Sequence, residues 1–206
     1  MTAARTARNA LERFIAKTRD LFSEEPDPER RWELLRPVMA EMLEDPEVIA
    51  ASSQWPETGA GPDGRATNLI FYEDPDHKFV VNGLARSENR PVGSRSRIHD
   101  HGHIYTLYGV LTGHERIERY ERLDDGSRPD FAEIRRTVDV LVGPGDIDLV
   151  KPFEVHSEVA TGEARTAIVV RSEDGGAFDH GRYDLETCEY FESPGPIQVP
   201  ADMFPK

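Results

Sequence analysis

The segment GSRSRIHDHGH, positions 93–103, contains three of the seven histidines of the chain, and they alternate with other residues. Alternate side chains of a β-strand lie on the same face, so a strand here would place His99, His101 and His103 together. Neutral imidazoles are good ligands for divalent transition metals. The segment therefore predicts a metal site. If Gly102 ends the strand, His103 is instead expected beside the ligands or at the rim of the site.

A metal site needs a further ligand from elsewhere in the chain, and His156 is the best candidate. It ends the segment GPGDIDLVKPFEVH, positions 143–156, in which a Gly-Pro-Gly-Asp turn leads into two predicted strands. We predict that His99, His101 and His156 bind one divalent metal. The other histidines lie in polar, turn-like segments and are expected at the surface: His77, His114 and His180.

The composition is typical of a globular protein with an acidic surface. The 206 residues include 25 Lys+Arg and 39 Asp+Glu, which gives a formal net charge of −14. This balance argues against a nucleic-acid partner and against docking on an anionic membrane, because both need basic patches. The chain lacks a secretory signal and an apolar run of ~20 residues, so we expect a cytoplasmic protein. The single cysteine, Cys188, excludes an internal disulfide and a cysteine-based zinc cluster.

The first part of the chain has the apolar spacing of amphipathic helices. A first helix is predicted over residues 6–23. Asp27 followed by proline is a typical helix start, and Asp45 followed by proline repeats it for a short third helix through Ala51. Pro37 lies within the second helix and is expected to kink or split it.

After a turn-rich loop at 54–65 the pattern changes to short β-branched and aromatic runs separated by turns, which is typical of a sandwich or barrel. Strands are predicted at 68–72, 78–84, 96–113, 115–122, 134–142, 146–150, 154–159 and 165–171. We therefore divide the chain into an N-terminal helical extension, residues 1–60, and a barrel, residues 61–206. The proline-rich tail of the barrel is expected to be an extended strap.

The two histidine segments resemble the two sequence motifs of the cupin superfamily. Glycines and histidines match the first motif in type and spacing: Gly93, His99, His101 and Gly113. A glycine, a proline and a histidine match the second motif approximately: Gly145, Pro152 and His156. The resemblance covers roughly residues 65–172. It implies a mainly β fold, the cupin double-stranded β-helix (jelly-roll) barrel, with a metal inside it and the helices as an N-terminal extension.

Within the cupins, the chain resembles the thiol dioxygenases, the group of cysteine dioxygenase and 3-mercaptopropionate dioxygenase. The similarity runs from Ile98 to Gly113, and helices precede the barrel in that group too. Most cupins have a glutamate four or five residues after the second histidine, where this chain has Tyr105 and Thr106. The missing carboxylate leaves a three-histidine site, as in that group. The resemblance implies Fe(II), although Zn, Ni or Mn also suit such ligands.

The chain departs from this group at several positions. Thr106 stands where many cysteine dioxygenases have a cysteine crosslinked to a tyrosine. The strand 167–171 lacks the expected Ser-His-Tyr relay, and Thr67 replaces the arginine that binds the substrate carboxylate. The resemblance implies a mononuclear non-haem iron dioxygenase acting on a small organic acid, whether or not it is a thiol. The alternatives are an O2-independent lyase, isomerase or hydrolase with a Lewis-acid metal, a non-enzymatic binding module, and a barrel without metal.

Arginines and tyrosines near the motifs are the candidates for substrate binding and acid–base chemistry. Arg97 lies two residues before the first histidine of the motif and is expected to point into the barrel, as a carboxylate clamp or in a structural ion pair. Arg171 is a similar case, and Arg65 is a third candidate. Tyr105 or Tyr108 could supply a pocket hydroxyl, with core packing as the alternative. As partners we expect a small anionic substrate, O2 and a second copy of the chain, since cupins commonly form dimers.

Overall fold

The computed structural model describes residues 9–61, 65–87 and 90–206. Within them, three helices precede twelve strands, which form two six-stranded sheets. In this described part of the chain, no helix has both the length and the apolar character needed to cross a membrane.

The helices are α1 Ala10–Glu24, α2 Pro28–Leu43 and α3 Pro46–Ser52. Each begins after a polar residue whose side chain accepts a hydrogen bond from a backbone N–H of the first turn: Asn9, Asp27 and Asp45. The sequence predicts the second and third of these caps. Positions 6–8 of the predicted first helix lie outside the described residues. The second helix continues through Pro37 and is not split.

The twelve strands have the following bounds. They are β1 Thr67–Glu73, β2 Val80–Arg86, β3 Ile98–His99, β4 Thr106–Thr112, β5 Glu115–Arg122, β6 Ile134–Val142, β7 Ile147–Val150, β8 Val155–Ala160, β9 Arg165–Arg171, β10 Asp179–Tyr183, β11 Tyr190–Pro194 and β12 Ile197–Pro200. Most of these bounds lie within two residues of the predicted ones, because alternating side chains and turn residues are both local signals.

Strands β2 to β9 form a jelly roll. One sheet has the order β2-β9-β4-β7 and the other the order β3-β8-β5-β6, so the chain mostly crosses between the two sheets from one strand to the next. This is the double-stranded β-helix architecture of cupins, and the predicted fold class is confirmed. Strands β1 and β12 extend the first sheet, and β10 and β11 extend the second. The tail, expected to be a strap, therefore belongs to the sheets.

The stretch 96–113, predicted as one strand, is two strands in different sheets. Strand β3 ends at His99, and the chain turns at Gly102, whose φ is +61°, before β4 begins at Thr106. A glycine adopts this left-handed conformation without the steric cost of a Cβ. The turn ends the period-two alternation, so His103 does not follow the two preceding histidines onto their face.

The helices cover the outer face of the first sheet. Side chains of α1 and α2 share one hydrophobic cluster with strands β4 and β9: Phe14, Trp32, Leu35, Met39, Leu107, Ile168 and Val170. Tyr105, just before β4, packs against this cluster, with its ring 6.0 Å from that of Trp32 and nearly parallel to it. The helices and the barrel thus share one core. The predicted division of the chain near residue 60 stays a prediction.

The two glycines of the first motif differ in their surroundings, which gives a test of the fold. Gly93 and Gly113 both have a positive φ, +80° and +72°. A Cβ on Gly113 would lie 2.2 Å from the carbonyl oxygen of Ala164, whereas a Cβ on Gly93 would meet no described atom within 4 Å. The segment around Ala164 would have to move for a side chain at position 113 alone.

We expect Gly113→Ala to lower the free energy of unfolding by more than Gly93→Ala does. The left-handed backbone costs alanine about 1–2 kcal/mol at either position, and the close carbonyl adds to this at position 113. Urea denaturation of the two variants and the wild type measures the difference. Equal losses would show that the contact with Ala164 is unimportant.

Candidate metal centre

The structure brings together the three histidines that the sequence singles out as metal ligands. The ring centroids of His99 and His156 are 4.4 Å apart, those of His101 and His156 4.7 Å, and those of His99 and His101 5.1 Å. One ring nitrogen from each lies within 4.8 Å of the other two. Three nitrogen atoms at this spacing could hold a single metal ion.

The pairing of two short strands places the first two of these rings. Strand β3 lies antiparallel to β8, with His99 directly opposite His156. Directly opposed residues in such a pair have Cβ atoms about 4.5–5.5 Å apart, so their side chains meet on one face of the sheet. The register of β3 and β8 therefore brings together two histidines that are far apart in the sequence.

The third ring is positioned by a turn that is anchored at Asp100. The buried carboxylate of Asp100 accepts hydrogen bonds from the backbone N–H groups of Gly102, at 2.7 Å, and Gly181, at 3.1 Å. It also accepts a bond from the Tyr183 hydroxyl at 2.6 Å. These bonds join the segment after β3 to β10. They hold the backbone on both sides of His101, which restricts the direction of its side chain.

Hydrogen bonding and burial favour neutral imidazoles. Nδ1 of His99 donates to the carbonyl of Arg97 at 2.8 Å, and Nδ1 of His156 donates to the carbonyl of Glu154 at 3.2 Å. Because a carbonyl only accepts, Nδ1 carries the proton in the neutral form of both rings, which leaves the lone pair on Nε2. Burial, with the nearby His156 adding to it, lowers the pKa of His99 to about 3, and burial holds the pKa of His101 well below its usual range.

An unsatisfied atom at the site also fits a metal. Nδ1 of His101 is buried and has no hydrogen-bond partner among the described residues. A buried polar atom without a partner costs about 1–3 kcal/mol, and coordination by that atom would remove this cost. Neutral imidazole is also the protonation state that binds metals. The three nitrogen donors suit Fe(II), Zn, Ni and Mn, and do not select among them.

Glu158 is a residue of the site that the sequence analysis missed. It follows His156 by two positions on β8 and therefore lies on the same face. Its Oε1 is 3.7 Å from Nε2 of His156, and its Oε2 accepts a hydrogen bond from the Ser96 hydroxyl at 2.5 Å. Burial disfavours its charged form, but attraction to the protonated forms of His99 and His156, together with the Ser96 hydroxyl, holds its pKa below the usual range. Period-two spacing from His156 is the signal that could have found it.

His180 was expected at the surface, and this prediction is wrong. The side chain is buried, lines the same cavity as the three histidines, and has its ring 5.7 Å from that of His101. Its Nε2 donates to the carbonyl of Gly175 at 2.8 Å. Burial, together with the charges of Arg182 and Arg171, lowers its pKa to about 4. Its strand, β10, pairs with β3, and local sequence contains no signal for this pairing.

The remaining histidines lie away from the centre. The side chain of His103 is 57% exposed and lies 2.7 Å from Glu173, because the turn at Gly102 directs it outward. His114 is exposed, as predicted, and bonded to Glu163, and His77 packs on a ring of α1. None of these three is among the described residues that line the cavity.

A cavity of about 750 Å³ adjoins the three histidines. Its walls come from both sheets and from the segments 57–60 and 193–196. Among the described residues that line it, seven are arginines and three are acidic, whereas the chain as a whole has a net charge of −14. The interior is therefore positive inside an acidic protein, and it favours anionic ligands.

Arg171, at the end of β9, lies in this cavity as the sequence predicts. It is buried, and one guanidinium N–H donates to Oδ1 of Asn82 at 2.7 Å. Its Nε has no partner among the described residues, and none of their carboxylates lies within ion-pair distance. Burial lowers its pKa to about 10, so it stays charged at neutral pH. A buried guanidinium of this kind is a receptor for a carboxylate or another anion.

The other two predicted arginines lie at the edge of the cavity. Arg97 is exposed, with its guanidinium 5.9 Å from the centre of the Phe191 ring, so the prediction that it points into the barrel is wrong. It precedes the first residue of β3, and strand alternation does not govern its direction. Arg65 lines the cavity and donates two hydrogen bonds to the carbonyl of Gly195, at 2.6 and 2.9 Å.

The predicted acid–base role of Tyr105 does not fit its position. Its ring stacks on Trp32 on the helical side of the first sheet, and it is not part of the cavity wall described above. Tyr108 lines the cavity, but its hydroxyl donates to the buried Glu115 at 2.9 Å, and burial raises its pKa above the usual range. Thr106 also lines the cavity.

Comparison with known proteins shows similarity to cupin structures at low sequence identity. No family model and no curated protein matches the chain. Similar solved structures include a cupin domain from Schizosaccharomyces pombe, with a TM-score of 0.37 and 10% identity over 52% of this chain and 64% of that one. A protein with a double-stranded β-helix domain from Klebsiella pneumoniae has a TM-score of 0.38 and 17% identity over 58% of this chain and 80% of that one.

Hydroquinone 1,2-dioxygenase, solved in complex with Cd2+ and 4-hydroxybenzonitrile, has a TM-score of 0.41 and 10% identity over 75% of each chain. This chain spans slightly less than two thirds of the Schizosaccharomyces pombe structure. Similarity at this level carries no argument about activity, and the fold assignment rests on the strand order described above.

We expect the wild-type protein to bind one divalent metal per chain. His101→Ala should lose this stoichiometric binding, because two imidazoles hold a metal much more weakly than three. Metal content after dialysis, together with calorimetric titration with Zn(II), measures the loss. His114→Ala removes an exposed histidine outside the cavity and should keep the wild-type content. Full occupancy of His101→Ala would overturn the ligand assignment.

Proposed function

We propose that this protein is a mononuclear non-haem iron dioxygenase that oxidises a small anionic organic acid. One observation carries the proposal: three neutral imidazoles share a cavity with the buried Arg171, which has no carboxylate partner in the described part of the chain. The cavity thus contains both a ligand set for a cation and a receptor for an anion. His99, His101 and His156 would hold Fe(II), which supplies open coordination positions and redox chemistry towards O2.

The neutral charge of the ligands bears on the substrate. Three imidazoles add no negative charge, so the site favours a substrate with an anionic donor, such as a thiolate or a carboxylate. The guanidinium of Arg171 would bind the substrate carboxylate with paired N–H bonds, a planar arrangement that also sets orientation. Arg182, held by a 3.0 Å hydrogen bond from its Nε to the Ser193 hydroxyl, would support it. Thiols are the first substrates to test, since the sequence resembles the thiol dioxygenases.

An O2-independent lyase or isomerase is the second candidate, and Glu158 is the observation that favours it. Its carboxylate lies 3.7 Å from Nε2 of His156, which places a basic oxygen beside the proposed metal ligands. Such an enzyme would use the metal as a Lewis acid and a nearby carboxylate to move a proton. It would convert its substrate in the absence of oxygen.

Oxygen uptake separates these candidates. We expect anaerobically purified, Fe(II)-loaded protein to consume O2 with one or more members of a panel of thiols and carboxylates that includes cysteine and 3-mercaptopropionate. The metal content is measured on the same sample. Substrate loss under anaerobic conditions, without uptake in air, would replace the dioxygenase with the lyase or isomerase.

With the substrate so identified, we expect Arg171→Gln to raise the KM at least about tenfold and to change kcat less, because the lost contact binds the non-reacting carboxylate. Arg116→Gln is the matched control, since Arg116 bonds to Asp139 and is not among the residues that line the cavity. An unchanged KM in Arg171→Gln would remove this residue from substrate binding.

A further inference from the structure

The cavity contains more positive charge than one carboxylate needs. Three of its seven arginines are at least partly buried and have no carboxylate within ion-pair distance among the described residues: Arg86, Arg171 and Arg182. Of the three acidic residues that line it, Asp148 is already paired with Arg119 and Glu57 is exposed to solvent, which leaves Glu158. Guanidinium groups that lose water without gaining a negative partner are costly, so the excess indicates a ligand with more than one negative charge.

The cavity cations form two groups at opposite ends of β9. Arg165 and Arg171 are the first and last residues of this strand, and both line the cavity. Six residues of a β-strand span about 20 Å, which separates the backbones of the two ends. The charge of Arg171 acts on His101 and His180, so its end is the one with the histidines. We call the Arg165 end the far end.

At the far end, Arg86 is the arginine that forms no ion pair with a carboxylate in the described part of the chain. It lies opposite Arg165 on the neighbouring strand β2. Arg165 forms an ion pair with the buried Glu115, which also accepts a hydrogen bond from Tyr108. Arg86 makes no hydrogen bond or ion pair with any residue in the described ranges, and burial, with the charges of Arg165 and Arg90, lowers its pKa. Glu115 is thus paired with Arg165 and hydrogen-bonded to Tyr108. The guanidinium of Arg86 can therefore bind an anionic ligand.

The carboxylate of Glu158 acts on the cations of both ends and forms an ion pair with neither Arg171 nor Arg86. Its charge favours the charged forms of both Arg171 and Arg86, but its carboxylate bonds to Ser96 and lies next to His156. One carboxylate shared in this way leaves a positive excess at each end of the cavity. The negative ligand that fits this pattern has two separated anionic groups.

We infer that the substrate is an extended organic dianion, with one anionic group bound near the histidines by Arg171 and the second bound at the far end by Arg86. This inference rests on the proposed function, since it names the substrate class of the same site. The volume supports it, because cavities of about 300–1,000 Å³ enclose ligands far larger than a three-carbon acid. Arg86 is thereby assigned as the residue that selects dianions over monoanions.

Binding of model diacids tests the inference without any turnover. The probes are succinate, adipate, suberate and sebacate, each compared with its monomethyl ester by isothermal titration calorimetry on the full chain. We expect the diacid of matching length to bind at least about tenfold more tightly than its monoester, because the second carboxylate gains a charge-assisted contact. In Arg86→Gln, the diacid should bind no better than the monoester, while the affinity for the monoester is retained.

Two further variants make the result specific. Arg86→Lys keeps the charge and should retain part of the preference, whereas Arg116→Gln removes an arginine outside the cavity and should leave it intact. Thermal melting and metal content of every variant show that the fold and the metal site are unchanged. Equal affinities of diacid and monoester for the wild type would overturn the inference, as would equal weakening of both in Arg86→Gln. Absence of oxygen uptake would overturn the proposed function alone.

Discussion

The metal centre depends on the register between β3 and β8. Strand β3 has only two residues, yet its pairing sets His99 opposite His156, and both Nδ1 atoms then donate to backbone carbonyls. A shift of one residue would turn one of these side chains to the opposite face of the sheet. The bonds of Asp100 to the segment after β3 and to β10 hold the turn that follows, and with it the third imidazole.

Burial has opposite consequences for the two kinds of basic side chain in the cavity. Loss of water disfavours the charged form of both. Histidine has an ordinary pKa near neutrality, so burial leaves His99 and His101 uncharged and able to bind a metal. Arginine starts so much higher that Arg171 keeps its charge even with a pKa of about 10. One enclosed space can therefore supply neutral metal ligands and a cationic receptor for the substrate.

Much of the fold and part of the site could be predicted because their signals are local. Caps such as Asp27 and the alternation of side chains depend on neighbours a few residues away. The same alternation predicts that His99 and His101 share a face; His101 lies just beyond β3, and the turn held by Asp100 brings its ring to the site. Alternation fails for Tyr105 and Arg97, which also lie outside the regular strands. Tyr105 follows the turn and packs on Trp32, and Arg97 precedes the first paired residue of β3.

The sequence by itself determined the helices, most of the strands from β1 to β9 and the candidate histidines, because periodicity, capping and motif spacing are properties of short segments. Its patterning indicated a sandwich or barrel, and the resemblance of its motifs to those of cupins narrowed this to the jelly roll. Only the tertiary structure decided that His180 is buried beside the centre, that Glu158 adjoins His156, and that Arg86 faces Arg165 while Glu115 is already engaged. These relations depend on which strands pair and in which register. Pairing joins residues that are far apart in the chain, so local sequence does not contain it.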